Sequence, residues 1–344
     1  MSIRARIEGV GHAVPARILT NDELSTMVDT NDEWIFSRTG IRQRHIAGPE
    51  DTAFTLSLVA AQNALANSGV AAADLDLVIV GTVTGDMQFP STSCLLQDAL
   101  GATKAGAFDV GAACAGFIYS IANATAMIES GMAKHVLVVG VDLLTKIIDW
   151  TDRSTCVLFG DGAGAVVLSA VEGSDRGVLK SVLLSDGSGA KHIHNEVGGS
   201  RYPHGSPQAE GRCPQAEGRC HSVYMNGNEV YRFAVQAIGD ACLKVLAEAG
   251  MTPDQVDLFV PHQANIRIIE SARERLNLPK EKVFVNVDRL GNTSAASIPI
   301  GLSEAAAQGV LKPGMIVLTV GFGAGLVWVG FGAGLVWGAN LIRW

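Results

Sequence analysis

Two stretches of this 344-residue chain read almost alike: ALANSGVAAADLDLVIV at residues 64–80 and VLAEAGMTPDQVDLFVP at residues 245–261. Each is a helix end, a glycine (Gly69, Gly250), a short linker and then a buried strand. Glycine suits the place just past a helix, where the backbone turns to positive φ. The apolar runs after Asp76 and Asp257 lack the alternation of a half-exposed strand, so they belong in a sheet covered on both faces. The spacing from glycine to aspartate is the same in both stretches.

The likeness extends outward. After the first strand come a loop, a helix and a further strand, which leads to Cys114 and a helix over Gly116–Ser130. After the second come His262 and a helix over Ile266–Leu276. Each half also closes with glycine-rich sequence between apolar strands, FGDGAGAVVL at 159–168 and GFGAGLVW at 321–328. An α/β chain of two similar halves, residues 1–172 and 173–344, is expected. Ser185–Ser222 is polar, glycine-rich and without period, and reads as a long excursion of the kind that often serves function.

Composition narrows the classes. Hydrophobic residues are 48% and charged ones 17%, which excludes disorder. The formal net charge of −8 argues against nucleic-acid binding. Apolar runs are interrupted well short of a membrane span. The N-terminus, with Arg4, Arg6 and Glu8, reads as a strand and not as a signal or transit segment, so a cytoplasmic protein is expected. The six cysteines form no C-x-x-C pair, and neither a metal site nor a redox site is expected. GDGAGA at 160–165 lies between two strands and not before a helix, so it is no dinucleotide fingerprint.

Three residues carry candidate chemistry. Cys114, in DVGAACAGFIYS, sits where a strand passes through small residues into a helix. A helix N-terminus favours thiolate, so a thiol pKa below the free value of ~8.5 is expected. His262, in LFVPHQANIRII, follows a buried strand, at the strand end where α/β proteins place their sites. Asn292, in DRLGNTSAASIP, taken alone reads equally as a turn or cap residue. Beside a neutral histidine its carboxamide would complete a two-donor site for a developing oxyanion. The order Cys-His-Asn also occurs in papain-like hydrolases, but their C-G-S-C-W type signature is absent.

The motifs DTNDEWIFSRTGIRQRHIA, GAACAGF, TDRSTCVLFGDGAGA, NGNEVYRFAV, VPHQAN and GNTSAASIP together resemble the β-ketoacyl-acyl-carrier-protein synthase III family over nearly the whole chain. That resemblance implies a homodimer of thiolase-like, five-layered αβαβα subunits. It implies condensation of an acyl-CoA starter, acetyl-CoA foremost, with malonyl-acyl-carrier-protein, and no cofactor beyond the CoA thioester substrate. A thiolase-fold condensing enzyme of another pathway is the alternative. By the same resemblance Cys114 takes the acyl group, and His262 and Asn292 hold the malonyl thioester carbonyl. The oxyanion hole uses the N–H groups of Cys114 and of Ala324 or Ala333. Trp34 and Arg153 would sandwich adenine, Arg38 bind phosphate, Thr30 touch the nucleotide, and Asn228 and Asn265 touch pantetheine. Phe89, reaching across the dimer, would line the acyl pocket with Leu144 and Leu158. Arg267, Arg273 and Arg275 would dock the carrier protein. Taken alone, Trp34 reads as a core aromatic and the arginines as surface ion-pair partners.

Two short tandem copies stand apart: PQAEGRC at 207–213 and 214–220, and VGFGAGLVW at 320–328 and 329–337. A loop tolerates the first, because closure entropy grows slowly with length. The second falls where a hairpin should form, and an odd insertion inside paired strands would flip every later side chain. Its nine extra residues must therefore leave the ladder, with Phe322–Gly325 serving the site.

Overall fold

The computed structural model describes residues 3–210, 222–325 and 334–344. One sheet takes its strands from the first half: β1 (Ile3–Ala13), β2 (Leu77–Gly81), β3 (Gly106–Val110), β4 (His135–Leu143) and β5 (Asp161–Glu172), in the order β1-β5-β4-β2-β3. A second sheet holds β6 (Gly177–Asp186), β7 (Leu258–Pro261), β8 (Ile316–Gly325) and β9 (Gly334–Arg343), in the order β7-β8-β9-β6. The parallel pairs are β2 with β3 and β4, and β7 with β8.

Helices complete five layers. Helices α1 (Asp32–Thr39), α2 (Ala53–Ser68), α3 (Thr92–Ala99) and α4 (Gly116–Glu129) come from the first half, and α5 (Gly227–Glu248), α6 (Ile266–Arg275) and α7 (Ser297–Ala307) from the second. Helices α2 and α3 cover the outer face of the first sheet, α5 covers that of the second with α6 packed on it, and α4 and α7 lie between the sheets. The αβαβα arrangement implied by the family resemblance is the one observed. Ile79, Val138 and Val166 meet Phe117, Ile121 and Leu302 of the middle helices, which meet Val260 and Val317 of the second sheet, in one buried cluster.

Local chemistry explains the paired stretches that open the sequence. Helix α2 begins in a reciprocal Thr52–Thr55 cap and ends at Gly69 with φ +71°. Gly250 adopts φ +67° just past α5. The Asp76 carboxylate accepts from Lys134 N at 2.7 Å and His135 N at 3.1 Å, tying β2 to β4. Asp257 does the same for β7 and β8, accepting from Ile316 N at 2.8 Å. Both aspartates thus satisfy backbone donors at the start of a neighbouring parallel strand.

Two expectations need adjusting. GDGAGA is not a loop between strands, since Asp161–Ala165 lie within β5. Its glycines allow α7 to press on the sheet: a β-carbon on Gly164 would stand 2.6 Å from Ile300 N. The polar excursion also contains some regular structure. Ile193–His194 pairs with Tyr224–Met225, and Pro207–Glu210 forms one helical turn. The second PQAEGRC copy lies outside the described residues.

The tandem VGFGAGLVW is resolved by register. Strands β8 and β9 pair without a break from Ile316↔Arg343 through Phe322↔Trp337 to Gly325↔Gly334. Residues 326–333 lie outside the described residues, and within the described ladder no paired side chain changes face. Removing residues 326–334 would leave the Gly323↔Val336 pair closed by three residues, a common hairpin length. A variant lacking those nine residues should fold and keep wild-type Cys114 reactivity, measured by circular dichroism and thiol alkylation. Loss of either would show that the extra segment is structural.

Candidate active site

Cys114 lies in a short turn, Ala113–Ala115, between β3 and α4. Ala113 there has φ +42°, and across the cavity Ser294 has φ +50°. Non-glycine residues in this region cost roughly 1–3 kcal/mol each, so surrounding packing must hold them. Strand β8 supplies that packing. A β-carbon on Gly323 would lie 2.6 Å from Cys114 N, and one on Gly321 would lie 3.3 Å from Cys114 O. Any side chain at 323 would cover the Cys114 N–H. The next residue, Ala324, lines the same cavity, whereas Ala333 lies outside the described residues.

His262 follows β7, and its N–H donates to Val320 O on β8 at 2.8 Å. Its imidazole is buried, with Nδ1 2.6 Å from Ser297 Oγ and the ring edge-on to Phe322 at 5.4 Å. Among the described residues the Ser297 hydroxyl has no other hydrogen-bond partner. Its oxygen and His262 Nδ1 share one hydrogen, and the ring tautomer sets which of them donates. Asn292 is tied to the first half by its backbone: its N–H donates to Leu158 O at 2.9 Å, and its carbonyl accepts from Gly160 N at 3.0 Å. Its Oδ1 accepts from Ser294 N at 2.9 Å, which orients the carboxamide and leaves Nδ2 as the donor.

Cys114, His262, Asn292 and Ala324 line one cavity of about 440 Å³, which continues past Leu158, Phe322 and Met225 to Trp34, Arg38, Asn228, Asn265 and Arg267. Burial dominates its electrostatics. It pushes the Cys114 thiol up to about 12, against the hydrogen bond from Ser294 that lowers it. Cys114 is itself only partly exposed, and this upward direction runs against the lowered pKa expected from the helix N-terminus. Burial alone depresses His262 to about 3, so its imidazole is neutral at physiological pH. The site offers a thiol beside a neutral imidazole and an oriented carboxamide N–H donor.

The comparisons agree with this arrangement. Residues 108–187 match the family model described as 3-Oxoacyl-[acyl-carrier-protein (ACP)] synthase III, and residues 246–330 match the model for its C-terminal part. The β-ketoacyl-[acyl-carrier-protein] synthase III of Symbiobacterium thermophilum is 50% identical, over 98% of this chain and 97% of that one. That of Caldanaerobacter subterraneus is 49% identical, over 95% of this chain and 96% of that one. The chain belongs to the β-ketoacyl-[acyl-carrier-protein] synthase III family. The crystal structure of 3-oxoacyl-[acyl-carrier-protein] synthase III from Aquifex aeolicus superposes with a TM-score of 0.86 at 42% identity, covering 99% of this chain and all of that one. The fold is accordingly the thiolase-type fold of the family.

The structure distributes the remaining candidate residues unevenly. Arg38 and Arg153 both lie over Trp34, at 4.5 and 4.8 Å from the ring centre, and Arg153 also donates to Asp29 O at 2.8 Å. Thr30 has a buried hydroxyl without a partner among the described residues. Asn265 caps α6 and donates to Arg38 O at 3.0 Å, so it joins two walls of the cavity. Leu144 packs instead with Leu19, Ile46 and Ile148, and Phe89 stands 83% exposed, away from the cavity of its own chain. Arg273 is bound by Glu270, Glu274 and Leu278 O, and Arg275 by Asp240 and Gln236 O. Arg267 has no ion pair among the described residues and lies over Tyr231. Sequence reasoning missed Ser294 and Ser297 as site residues. The signal was present in the serines of GNTSAASIP, which stand two and five residues after Asn292.

The depressed imidazole has a thermodynamic consequence. An unfolded histidine takes a proton near pH 6.5, whereas folded His262 does so only near about 3. The unfolded state therefore binds the extra proton as pH falls between these values, and stability is lost on acidification. The contribution should reach ~1.4 kcal/mol per pH unit. Chemical denaturation of His262→Gln between pH 6.5 and 4 should show a shallower loss than wild type by about that slope. Parallel slopes would mean that His262 is not held neutral.

Proposed function

We propose that the protein initiates fatty-acid synthesis by condensing an acyl-CoA, acetyl-CoA foremost, with malonyl-acyl-carrier-protein. The observation that carries this reading is the convergence of Cys114, His262 and Asn292 on one cavity with a cationic, aromatic mouth. Family membership supports the same activity. In the first step the Cys114 sulfur forms a bond to the acyl carbon, and the bond to CoA sulfur breaks. The oxyanion between these events would meet the Cys114 and Ala324 N–H groups, each worth ~3 kcal/mol in the transition state. In the second step the malonyl thioester carbonyl would accept from His262 Nε2–H and Asn292 Nδ2–H. Carbon dioxide then leaves, and the electron pair of the broken C–C bond becomes an enolate held by those donors. The enolate carbon attacks the acyl-Cys114 thioester, returns the thiol and releases the β-ketoacyl-carrier protein.

The mouth suits a CoA thioester. Trp34, Arg38 and Arg153 combine a stacking face with positive charge, and Asn228, Asn265 and Thr30 offer polar contacts along the way in. Arg153 rests on Trp34, so an adenine between them requires the guanidinium to move aside. A homodimer is part of this reading: Val83, Met87 and Phe89 form an exposed apolar stretch that a second copy would cover, bringing Phe89 to the partner's acyl pocket. CoA enters as substrate, with no other cofactor or metal. Among the described residues no helix is long and apolar enough to cross a membrane, consistent with a cytoplasmic setting.

Two experiments test the assignment. Cys114→Ala should abolish transfer of a radiolabelled acetyl group from acetyl-CoA to protein. His262→Ala and Asn292→Ala should retain that transfer but lose roughly 100-fold or more in malonyl decarboxylation, as expected for oxyanion donors. Equal damage to both half-reactions in Asn292→Ala would remove it from the enolate site. The second test concerns the carrier. Of the three arginines on α6, Arg267 is the one without an ion pair among the described residues, so Arg267→Glu should raise KM for malonyl-acyl-carrier-protein and leave KM for acetyl-CoA unchanged. Rising salt should weaken wild-type use of the carrier through screening. A KM for the carrier that ignores both changes would remove Arg267 from the docking surface.

A further inference from the structure

His262 stands at the end of β7, and Asn292 ends a separate stretch, residues 283–291. Backbone pairing joins the two at their start: Val283 lies beside Phe259, and Phe284 N donates to Phe259 O at 2.9 Å. Beyond that point Phe284, Asn286 and Val287 remain buried, so their main-chain groups need other partners. The Gln263 side chain, itself 1% exposed, supplies them. Its Nε2 donates to Pro261 O at 2.9 Å and to Phe284 O at 3.1 Å. Its Oε1 accepts from Asn286 N at 3.0 Å and from Val287 N at 3.2 Å. All four partners are main-chain groups of fixed polarity, so the network settles which end of the amide is oxygen. One carboxamide thus carries the pairing on where the two backbones separate.

Helix α7 grips the same stretch with a second side chain. Glu304 Oε2 accepts from Asn286 Nδ2 at 2.7 Å, and the two Glu304 oxygens accept from Arg289 Nη1 at 2.7 Å and Nη2 at 2.6 Å. The first residue of α7 is Ser297, whose hydroxyl lies 2.6 Å from His262 Nδ1. Glu304 follows Ser297 by two helical turns and so shares its side of the helix. The helix lies close on β7, since a β-carbon on Gly301 would stand 2.9 Å from Val260 Cγ1. These contacts close a ring that runs from His262 through Ser297, α7, Glu304 and the 286–289 turn to Gln263, the neighbour of His262. Cys114 stands outside it, in a turn of the first half that packs on Gly321 and Gly323.

We propose that Gln263 and Glu304 are positioning residues that clamp the Asn292 stretch to His262, and so serve the decarboxylating half of the reaction. The idea rests on the proposed function and divides its two steps between two supports. His262 and Asn292 can hold one carbonyl oxygen only if both reach it together, and a displacement near 1 Å costs about 100-fold in rate. Asn292 follows Arg289 by three residues, so the bonds at Asn286, Val287 and Arg289 govern where its carboxamide stands. Neither Gln263 nor Glu304 lines the cavity, and both act through the backbone that carries Asn292. Acyl transfer to Cys114 relies on β8 instead.

The two half-reactions can be measured apart. Gln263→Met keeps the length of the side chain and removes four bonds, and Glu304→Ala removes three. Each variant is assayed for acetyl transfer from acetyl-CoA to Cys114 and for release of labelled carbon dioxide from malonyl-acyl-carrier-protein. Both should lower kcat for decarboxylation by roughly tenfold or more, with KM for the malonyl substrate and the rate of acetyl transfer unchanged. A residue that merely supports the fold would lower both half-reactions together. That result, or unchanged decarboxylation, overturns the proposal. Should Gln263→Met fail to fold, Glu304→Ala decides, because the Arg289 side chain is 40% exposed and can turn to water. Amide hydrogen exchange without substrate is followed in parallel. It should rise across residues 284–292 in either variant and stay unchanged across residues 112–118, and unaltered exchange across 284–292 also overturns the clamp. The expected exchange, found with a wild-type protein that takes no acetyl group from acetyl-CoA, would defeat the functional reading and leave the clamp standing.

Discussion

The structure depends on how closely strand β8 approaches Cys114. Gly321 and Gly323 present no side chain, so the second sheet bears directly on a turn built by the first. That contact packs against the turn in which Ala113 adopts positive φ. The same strand holds His262 through Val320 O and presses Phe322 against the imidazole. One close approach thus fixes Cys114 and His262 relative to strand β8. A methyl group at position 323 would separate them all.

The same packing determines the charge state of the site. Closing two sheets over the middle helices buries the His262 imidazole, which keeps it neutral, and the same desolvation pushes the Cys114 thiol up. Serines of the Asn292 turn touch both groups: Ser297 Oγ lies 2.6 Å from His262 Nδ1, and Ser294 Oγ donates to Cys114 Sγ at 3.1 Å.

Pairing also separates residues that look equivalent along the chain. Arg267, Arg273 and Arg275 share one helix, yet the latter two are consumed by acidic residues and carbonyls of α5 and α6. Of these three, Arg267 alone lines the cavity mouth, and it has no ion-pair partner among the described residues. Leu144 and Leu158 are close in sequence, but one faces a core of Leu19 and Ile46 and the other the cavity. The two FGAG segments are identical in sequence, and strand register brings the first against Cys114.

Local chemistry along the chain determined a great deal. The apolar runs after Asp76 and Asp257, the glycines that end their preceding helices, and the small residues around Cys114 each encode a strand, a stop or a tight turn. All act within a few residues, so the layered α/β fold and the places of Cys114, His262 and Asn292 were legible there. Tertiary structure alone decided what surrounds those places. Cys114 and Ser294 are 180 residues apart in sequence, and His262 and Ser297 are 35 apart. Whether sulfur is thiol or thiolate, which imidazole nitrogen carries hydrogen, and which arginine is free depend on desolvation and on partners brought from elsewhere in the chain. Those are properties of the assembled interior, and no short stretch of sequence contains them.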